Sequence, residues 1–205
     1  KNALVLPDDF LLSPRLDYRD PAGEMSSFAE TARNFFGAGK VKAREAYRQA
    51  ELAQRKFVSL TSTNQITAPE AFSILDGKET AFTRKKPYNP YLIKDPQLRI
   101  GIVAHSYTLY DYIGQNLVQR LREYGTVLTP EMVRPQDACQ AISSIHDGAK
   151  LWSFEIQMLG SALYWLYTGS VERLIFLSPF GCGPEAVMES FLEKEAAQKG
   201  VPLLN

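Results

Sequence analysis

Residues 174–185 of the chain read Leu-Ile-Phe-Leu-Ser-Pro-Phe-Gly-Cys-Gly-Pro-Glu, and this stretch decides the fold class. Its first four residues are all apolar, which predicts a short strand that is buried on both faces of a parallel sheet. Two prolines and two glycines follow within residues 179–184, so the strand cannot continue and the chain must turn. A helix is expected to begin near Pro184. Cys182 should therefore lie on a loop between the carboxyl end of a strand and the N-terminus of a helix.

This position makes Cys182 the leading candidate for a functional residue. Open α/β sheets bind their ligands at the carboxyl ends of their strands. The N-terminus of a helix also favours negative charge, so a cysteine beside it is more readily ionised to the thiolate.

The rest of the downstream half alternates between strands and helices. The predicted strands cover residues 98–104, 126–129, 174–177 and 201–204, and the predicted helices cover residues 111–124, 136–145, 151–167 and 185–199. In the helix over residues 111–124, Ile113 is expected to face the core, and in the helix over residues 151–167 one apolar face is expected to carry Phe154, Met158, Ala162 and Trp165. Such alternation predicts an α/β fold with a mostly parallel, Rossmann-like or flavodoxin-like sheet and helices on both of its faces.

The upstream half has a different pattern. Residues 1–86 form a mainly helical N-terminal segment, with helices expected from Ser26 or Ser27 to Gly37, over residues 40–59 and over residues 69–75, and with a short strand over residues 2–6. Residues 87–96 are rich in proline and tyrosine and are expected to form an extended linker. Residues 97–205 are then the α/β domain. Because the chain begins with Lys1 and stops directly after an apolar run, we expect this domain to be truncated at its C-terminal end.

Composition excludes several classes of protein. The chain has 205 residues, with 23 Lys and Arg against 23 Asp and Glu, so no net charge would attract it to nucleic acid or to a membrane surface. Its two cysteines are too few for a disulfide framework, which favours a reducing, cytoplasmic setting. Cys139 lies in a helical pattern and is expected to be buried as a small apolar residue.

A second loop should meet Cys182 at the same edge of the sheet. His105 and Tyr107 follow the first predicted strand of the α/β half, and Asp111 lies shortly after them. Histidine, cysteine and aspartate in one crevice fit nucleophilic thiol chemistry, and they equally fit a metal site. A purely structural histidine at position 105 and a turn at His146 are the plain alternatives.

Four stretches resemble one family of proteins. Residues 99–111, with His105, Tyr107 and Asp111, resemble the Gly-His-Pro-Tyr-Asn-x-Tyr-Asp signature of proteins related to 2-hydroxyacyl-CoA dehydratases and their ATP-dependent activases. Residues 129–132 and 151–157 resemble two further segments, and residues 180–185 match a Phe-Gly-Cys-Gly-Pro-Asp loop with Glu185 in place of Asp. The likeness is closest to a domain of unknown function in CoA-substrate-specific enzyme activases. It covers residues 97–205.

The resemblance implies a function in electron transfer. In dehydratase subunits of this kind, cysteines hold a 4Fe–4S cluster that accepts a low-potential electron from an actin-like, ATP-hydrolysing activator. The implied metal ligand is Cys182, with His105 and Tyr107 as cofactor-binding neighbours. The implied partners are an actin-like activase domain or a dehydratase subunit, and the resemblance is compatible with a dimer. This chain departs from the signature at Ser106, where the family has proline.

The number of cysteines limits this implication. Iron–sulfur clusters normally take three or four cysteine thiolates, so we expect a cluster only in the full-length protein and none in this fragment. Two alternatives remain open. One is an interaction or small-ligand-binding domain in which the Cys182 loop is structural, and the other is a free-standing thiol hydrolase.

Overall fold

The computed structural model describes residues 20–78, 95, 97–110, 112–143 and 151–205. It divides into two compact units, residues 1–56 and residues 57–205. Several predictions fall outside the described residues. They are the strand over residues 2–6, the linker over residues 87–96 except Asp95, and the roles of Asp111 and His146.

The first unit is a pair of helices in its described part. Helix α1 (Pro21–Phe36) is capped by Asp20, whose side chain accepts a hydrogen bond from the Gly23 backbone N–H, and it ends where Gly37 adopts a φ of 61°. The helix thus begins before the predicted Ser26 or Ser27, because an aspartate followed by proline already satisfies the requirements of a helix start. Helix α2 (Lys40–Asn64) begins in this unit and continues into the second.

The second unit is built on a four-stranded parallel sheet. Its strands are β1 (Arg99–Ala104), β2 (Thr126–Leu128), β3 (Arg173–Leu177) and β4 (Leu203–Leu204). Their order in the sheet is β2-β1-β3-β4, and every neighbouring pair is parallel. The predicted α/β class with a parallel sheet is confirmed.

Helices cover both faces of this sheet. Those of the second unit are α3 (Ala68–Leu75), α4 (Ser106–Tyr110), α5 (Leu117–Leu121), α6 (Pro135–Ser143), α7 (Ser153–Thr168) and α8 (Gly183–Lys199). Successive residues of a strand point to opposite faces. Accordingly, Val103 packs into a cluster with Trp165 and Leu192 of α7 and α8, whereas Ile102 packs into a separate cluster with Val118 of α5.

The predicted helix over residues 111–124 is wrong. The chain instead forms α4, a 3₁₀ turn over Tyr112–Gly114 and the short helix α5. Gln115 and Asn116 have φ angles of 45° and 58°, and a residue in this left-handed region cannot continue an α-helix. As a result Ile113, which was expected in the core, is 69% exposed.

The predicted face of helix α7 is correct except at its first residue. Met158, Ala162 and Trp165 are buried, but Phe154 is exposed in the first turn. Gly160 explains how closely this helix packs, since a Cβ atom there would lie 2.3 Å from the Ala138 carbonyl oxygen of α6. In the described ranges, no helix combines the length and the apolar composition needed to cross a membrane.

Candidate functional site

The strand order places a switch point at one edge of the sheet. The chain leaves β1 towards β2 on one side, and it leaves β3 towards β4 on the other. β1 and β3 are neighbours, and their last paired residues are Ala104 and Leu177. A parallel sheet with such a reversal opens a crevice between the carboxyl ends of the two strands, and this crevice is the usual place for a ligand. The segments that border it begin at His105 and at Ser178.

The segment after β3 is a tight turn into a helix. The Cys182 N–H donates to the Pro179 carbonyl oxygen over 3.3 Å, and Gly181 has a φ of 79°, which glycine adopts without strain. Cys182 is the N-cap residue of α8 and is partly exposed. Phe180, at the tip of the turn, is fully exposed. The helix starts at Gly183, just before the predicted start, and the predicted position of Cys182 at a helix N-terminus is correct.

The segment after β1 brings His105 onto the same helix. The Nε2 atom of His105 lies 2.8 Å from the Oε1 atom of Glu185, in the first turn of α8. The Tyr107 ring stacks on the imidazole with 5.1 Å between ring centroids, and the Phe154 ring packs against it in a T-shaped geometry with 6.0 Å between centroids. The His105 side chain is 18% exposed and that of Glu185 only 1%. His105 therefore sits between aromatic rings at the surface and a buried carboxyl group beneath.

Glu185 is an unusual group in this position. Among the described residues, neither of its carboxyl oxygens accepts a hydrogen bond, although both are buried. Burial, together with the nearby carboxylate of Glu155, raises the pKa of Glu185 to about 6. Buried carboxyl groups are usually hydrogen-bonded, because losing water without a replacement partner costs free energy. The exception at Glu185 thus marks this edge for attention.

Glu155 is the second buried carboxyl group of the site. It lies in the first turn of α7, and its Oε2 atom accepts a hydrogen bond of 2.6 Å from the Trp152 backbone N–H. This contact caps the helix, which gives Glu155 a structural role. It also places a second acidic side chain close enough to disfavour ionisation of Glu185.

The segment after β2, by contrast, supplies its carboxyl group with hydrogen-bond donors. The Glu131 carboxyl group accepts a hydrogen bond from the Tyr110 hydroxyl and another, of 2.8 Å, from the Ala68 N–H at the start of α3. Burial and the Glu131 carboxylate raise the pKa of Tyr110. The Gln157 amide donates to the carbonyl oxygens of Pro130 and Val133 over 2.7 and 2.9 Å.

These contacts join the segment after β2 to two helices. Glu131 connects it to the start of α3, and Gln157 connects it to α7.

Sequence reasoning found part of this site and missed its buried part. The structure places His105, Tyr107 and Cys182 at the carboxyl edge, as predicted, while their binding roles remain predictions. Glu185 carries no predicted role and enters the sequence analysis only as the residue in place of Asp in the loop over residues 180–185. The available signal was its place directly behind a Gly-Pro turn that follows a buried strand.

Cys139 differs from expectation. It is exposed on α6, because Ala138, Ala141 and Ile142 form the buried face of that short helix and Cys139 lies outside it.

The described residues do not fit a complete iron–sulfur site. In the part of the chain that the structure describes, no three His, Cys, Asp or Glu side chains are grouped so that they could hold a metal ion. Cys182 is a single thiol, and a cluster takes three or four thiolates. Among the described residues, this edge therefore offers at most one cysteine ligand to a cluster.

Comparison of the chain with protein-family models, with curated proteins and with solved structures finds no match.

Proposed function

We propose that residues 97–205 form a dehydratase-like domain of a CoA-enzyme activase-related protein that acts in the cytoplasm. The domain takes part in low-potential electron transfer within a 2-hydroxyacyl-CoA dehydratase-type system. Its partner is an actin-like, ATP-hydrolysing activase domain or a dehydratase subunit. Cys182 is the residue that the domain contributes to an iron–sulfur cluster, which the partner completes.

The observation that carries this proposal is the placement of Cys182. It caps helix α8 at the switch point of the sheet and is partly exposed, so its sulfur can meet a group brought by another chain. The thiolate is the form of cysteine that binds iron.

The neighbouring residues suit a surface that meets a partner. Phe180 at the tip of the same turn is fully exposed, and Phe154 and Tyr107 are exposed beside His105. Exposed aromatic side chains are enriched where proteins bind each other, because they bury a large area with little loss of conformational freedom. A bound cluster would supply the electron-accepting chemistry, and the chain's own residues would orient the thiolate and shield it from water.

The test uses the natural protein that contains this sequence, tagged in its own cells and purified without oxygen. Iron and acid-labile sulfide are measured per polypeptide, together with the visible absorption spectrum. Cys182→Ser should reduce iron and sulfide at least several-fold, because a serine hydroxyl is a poor substitute for a thiolate ligand. Cys139→Ser is the matched control and should leave both unchanged. Equal iron and sulfide in the Cys182→Ser and wild-type proteins, or no iron in the wild type together with its partner, would reject the proposal.

A second candidate function is supported by the His105–Glu185 contact. A buried carboxyl group behind a partly exposed histidine, at a switch point, is also the arrangement of a small-ligand site. In that case the Cys182 turn is structural. The iron measurement separates the candidates, since this one predicts a wild-type protein without a cluster.

A further inference from the structure

The two helices of the first unit border a cavity. Helix α1 ends at Gly37 and α2 begins at Lys40, and the rings of Phe28 and Tyr47 pack against each other with 5.8 Å between centroids. The cavity has a volume of about 260 Å³. Drug-sized ligands usually occupy about 300–1,000 Å³, so this cavity suits a smaller molecule.

Three positively charged side chains line this cavity. Arg33 comes from the last turn of α1, Lys40 is the first residue of α2, and Arg44 lies one turn further along α2. Glu30 is the single acidic residue of the lining. The cavity therefore has an excess of two positive charges, although the chain as a whole has no net charge.

These cations have no carboxylate partner in the described ranges. None of Arg33, Lys40 and Arg44 forms an ion pair or a side-chain hydrogen bond there, and all three are exposed to solvent. By comparison, Arg122 in the second unit forms an ion pair with Glu70. The charges that line the cavity are therefore available to a ligand.

The start of α2 is also unusual in its charge. The helix has no acidic residue in its first turn, and Lys42 adds a second cation beside Lys40. The positive end of a helix dipole favours negative groups, so cations at this point cost free energy. An anion bound in the cavity would offset that cost, which gives the arrangement a physical reason.

The lining favours a phosphate group over other anions. A phosphate monoester carries a charge of about −1.5 to −2 at pH 7, which matches the excess positive charge, whereas a carboxylate carries a single negative charge. Arginine presents paired N–H groups that fit two phosphate oxygens at once, and lysine adds a point charge. Met25 and Ala29 line the same cavity and offer apolar surface to the carbon part of an ester.

We propose that this cavity binds a small phosphate monoester, whose phosphate group is held by Arg33, Lys40 and Arg44 and whose organic part lies against Met25 and Ala29. The site belongs to the first unit, whereas Cys182 belongs to the second, so the proposal goes beyond the proposed function.

The test is calorimetric titration of the intact chain at pH 7.5 and low ionic strength with three probes. Phenyl phosphate represents the proposed ligand, phenyl sulfate has the same shape with a single negative charge, and inorganic phosphate lacks the organic part. We expect one phenyl phosphate to bind per chain, about tenfold more tightly than either of the other probes. Added salt should weaken this binding, because exposed charges are screened.

Two results with the wild-type chain overturn the proposal. One is the absence of saturable phenyl phosphate binding up to about 10 mM. The other is equal affinity for phenyl phosphate and for phenyl sulfate or inorganic phosphate, because the cavity would then select neither the second charge nor the organic part.

A matched pair of variants locates the site. Arg44→Gln should weaken phenyl phosphate binding about tenfold, because it removes charge-assisted hydrogen bonds. Arg55→Gln is the control, since it removes the same charge from an exposed position of the same helix outside the cavity lining, and it should change the affinity less than about twofold. Both side chains are exposed, so both variants should fold, and circular dichroism checks this.

Unchanged binding in Arg44→Gln, or equal losses of affinity in the two variants, also overturns the proposal. The iron measurement concerns Cys182 and the titration concerns the first unit, so the two proposals fail separately.

Discussion

Two turns that leave the same sheet, one after β2 with the half-buried Glu131 and one after β3 with the buried Glu185, treat their carboxyl groups in opposite ways. After β2, Glu131 accepts hydrogen bonds from Tyr110 and from the start of α3. After β3, Glu185 is buried without any hydrogen bond to its oxygens from the described residues, and only His105 lies within ion-pair distance.

This difference separates residues that stabilise the fold from residues that are candidates for the functional site. A buried polar group with all its partners lowers the free energy of the folded state, whereas one without partners costs about 1–3 kcal/mol. A fold can carry such a cost where a group must remain available for chemistry. Judged by their carboxyl groups, the β2 turn is framework and the β3 turn, with Glu185 and Cys182, is the candidate site.

The largest expected effect is at the framework. Glu131→Ala removes the acceptor for the Tyr110 hydroxyl and for the Ala68 N–H, and leaves both donors partly buried. We expect the free energy of unfolding to fall by about 3 kcal/mol. Urea titration followed by circular dichroism measures it. Glu123→Ala, at an exposed position, should change it by less than about 0.5 kcal/mol. A loss at Glu131 no larger than at Glu123 would remove the contrast between the two turns.

The next effect has the opposite sign and depends on pH. The pKa of Glu185 is raised from 4.5 to about 6, so the folded state favours the protonated form. Its contribution to stability is fully present below pH 4.5 and is lost as the pH rises through 6. Glu185→Gln has no such loss. Between pH 4.5 and pH 7.5 the free energy of unfolding of this variant should therefore rise by about 2 kcal/mol relative to that of the wild type.

Stability measured across that pH range checks this gain. The comparison variant is Glu189→Gln, whose difference from wild type should stay flat. A Glu185→Gln variant that becomes less stable than wild type as the pH rises would show that Glu185 is a satisfied, stabilising carboxylate.

A smaller effect is expected at the N-cap of α8. Cys182 makes no side-chain hydrogen bond to the helix, and serine is a better N-cap residue than cysteine. Cys182→Ser should therefore leave the free energy of unfolding unchanged or raise it by about 0.5 kcal/mol. Thermal unfolding of the chain measures this. A loss above about 1 kcal/mol would make Cys182 a structural residue and would favour the small-ligand alternative.

The smallest effect is expected at Phe180. Its side chain is fully exposed at the tip of the β3 turn, so Phe180→Ser should change the free energy of unfolding by less than about 0.5 kcal/mol. In pull-downs of the natural protein, the same variant should weaken retention of the partner by at least several-fold. Unchanged retention would show that the exposed aromatic residues of this edge do not contact the partner.

The sheet was predictable because its signal is local. Buried parallel strands are short apolar runs between turn residues, and residues 98–104 and 174–177 are of this kind. The break at Gln115 and Asn116 was not predictable, because the apolar spacing over residues 111–124 suits a continuous helix and gives no warning of two left-handed residues. The exposure of Phe154 likewise depends on where α7 starts.

The site was predictable only at its surface. Loops at the carboxyl ends of parallel strands must share an edge, so His105 and Cys182 could be placed there from the sequence. The pairing of His105 with Glu185 depends on which strands are neighbours and on how α8 is rotated about its axis. Both are set by packing of the whole unit, and no short stretch of sequence records them.

The most direct test of the contrast between the two turns makes the same chemical change in both. Glu131→Gln and Glu185→Gln are compared with wild type by urea unfolding at pH 7.5. The account predicts opposite signs, a loss of stability at Glu131 and a gain at Glu185. A loss at both positions would contradict it, because Glu185 would then be as well partnered as Glu131.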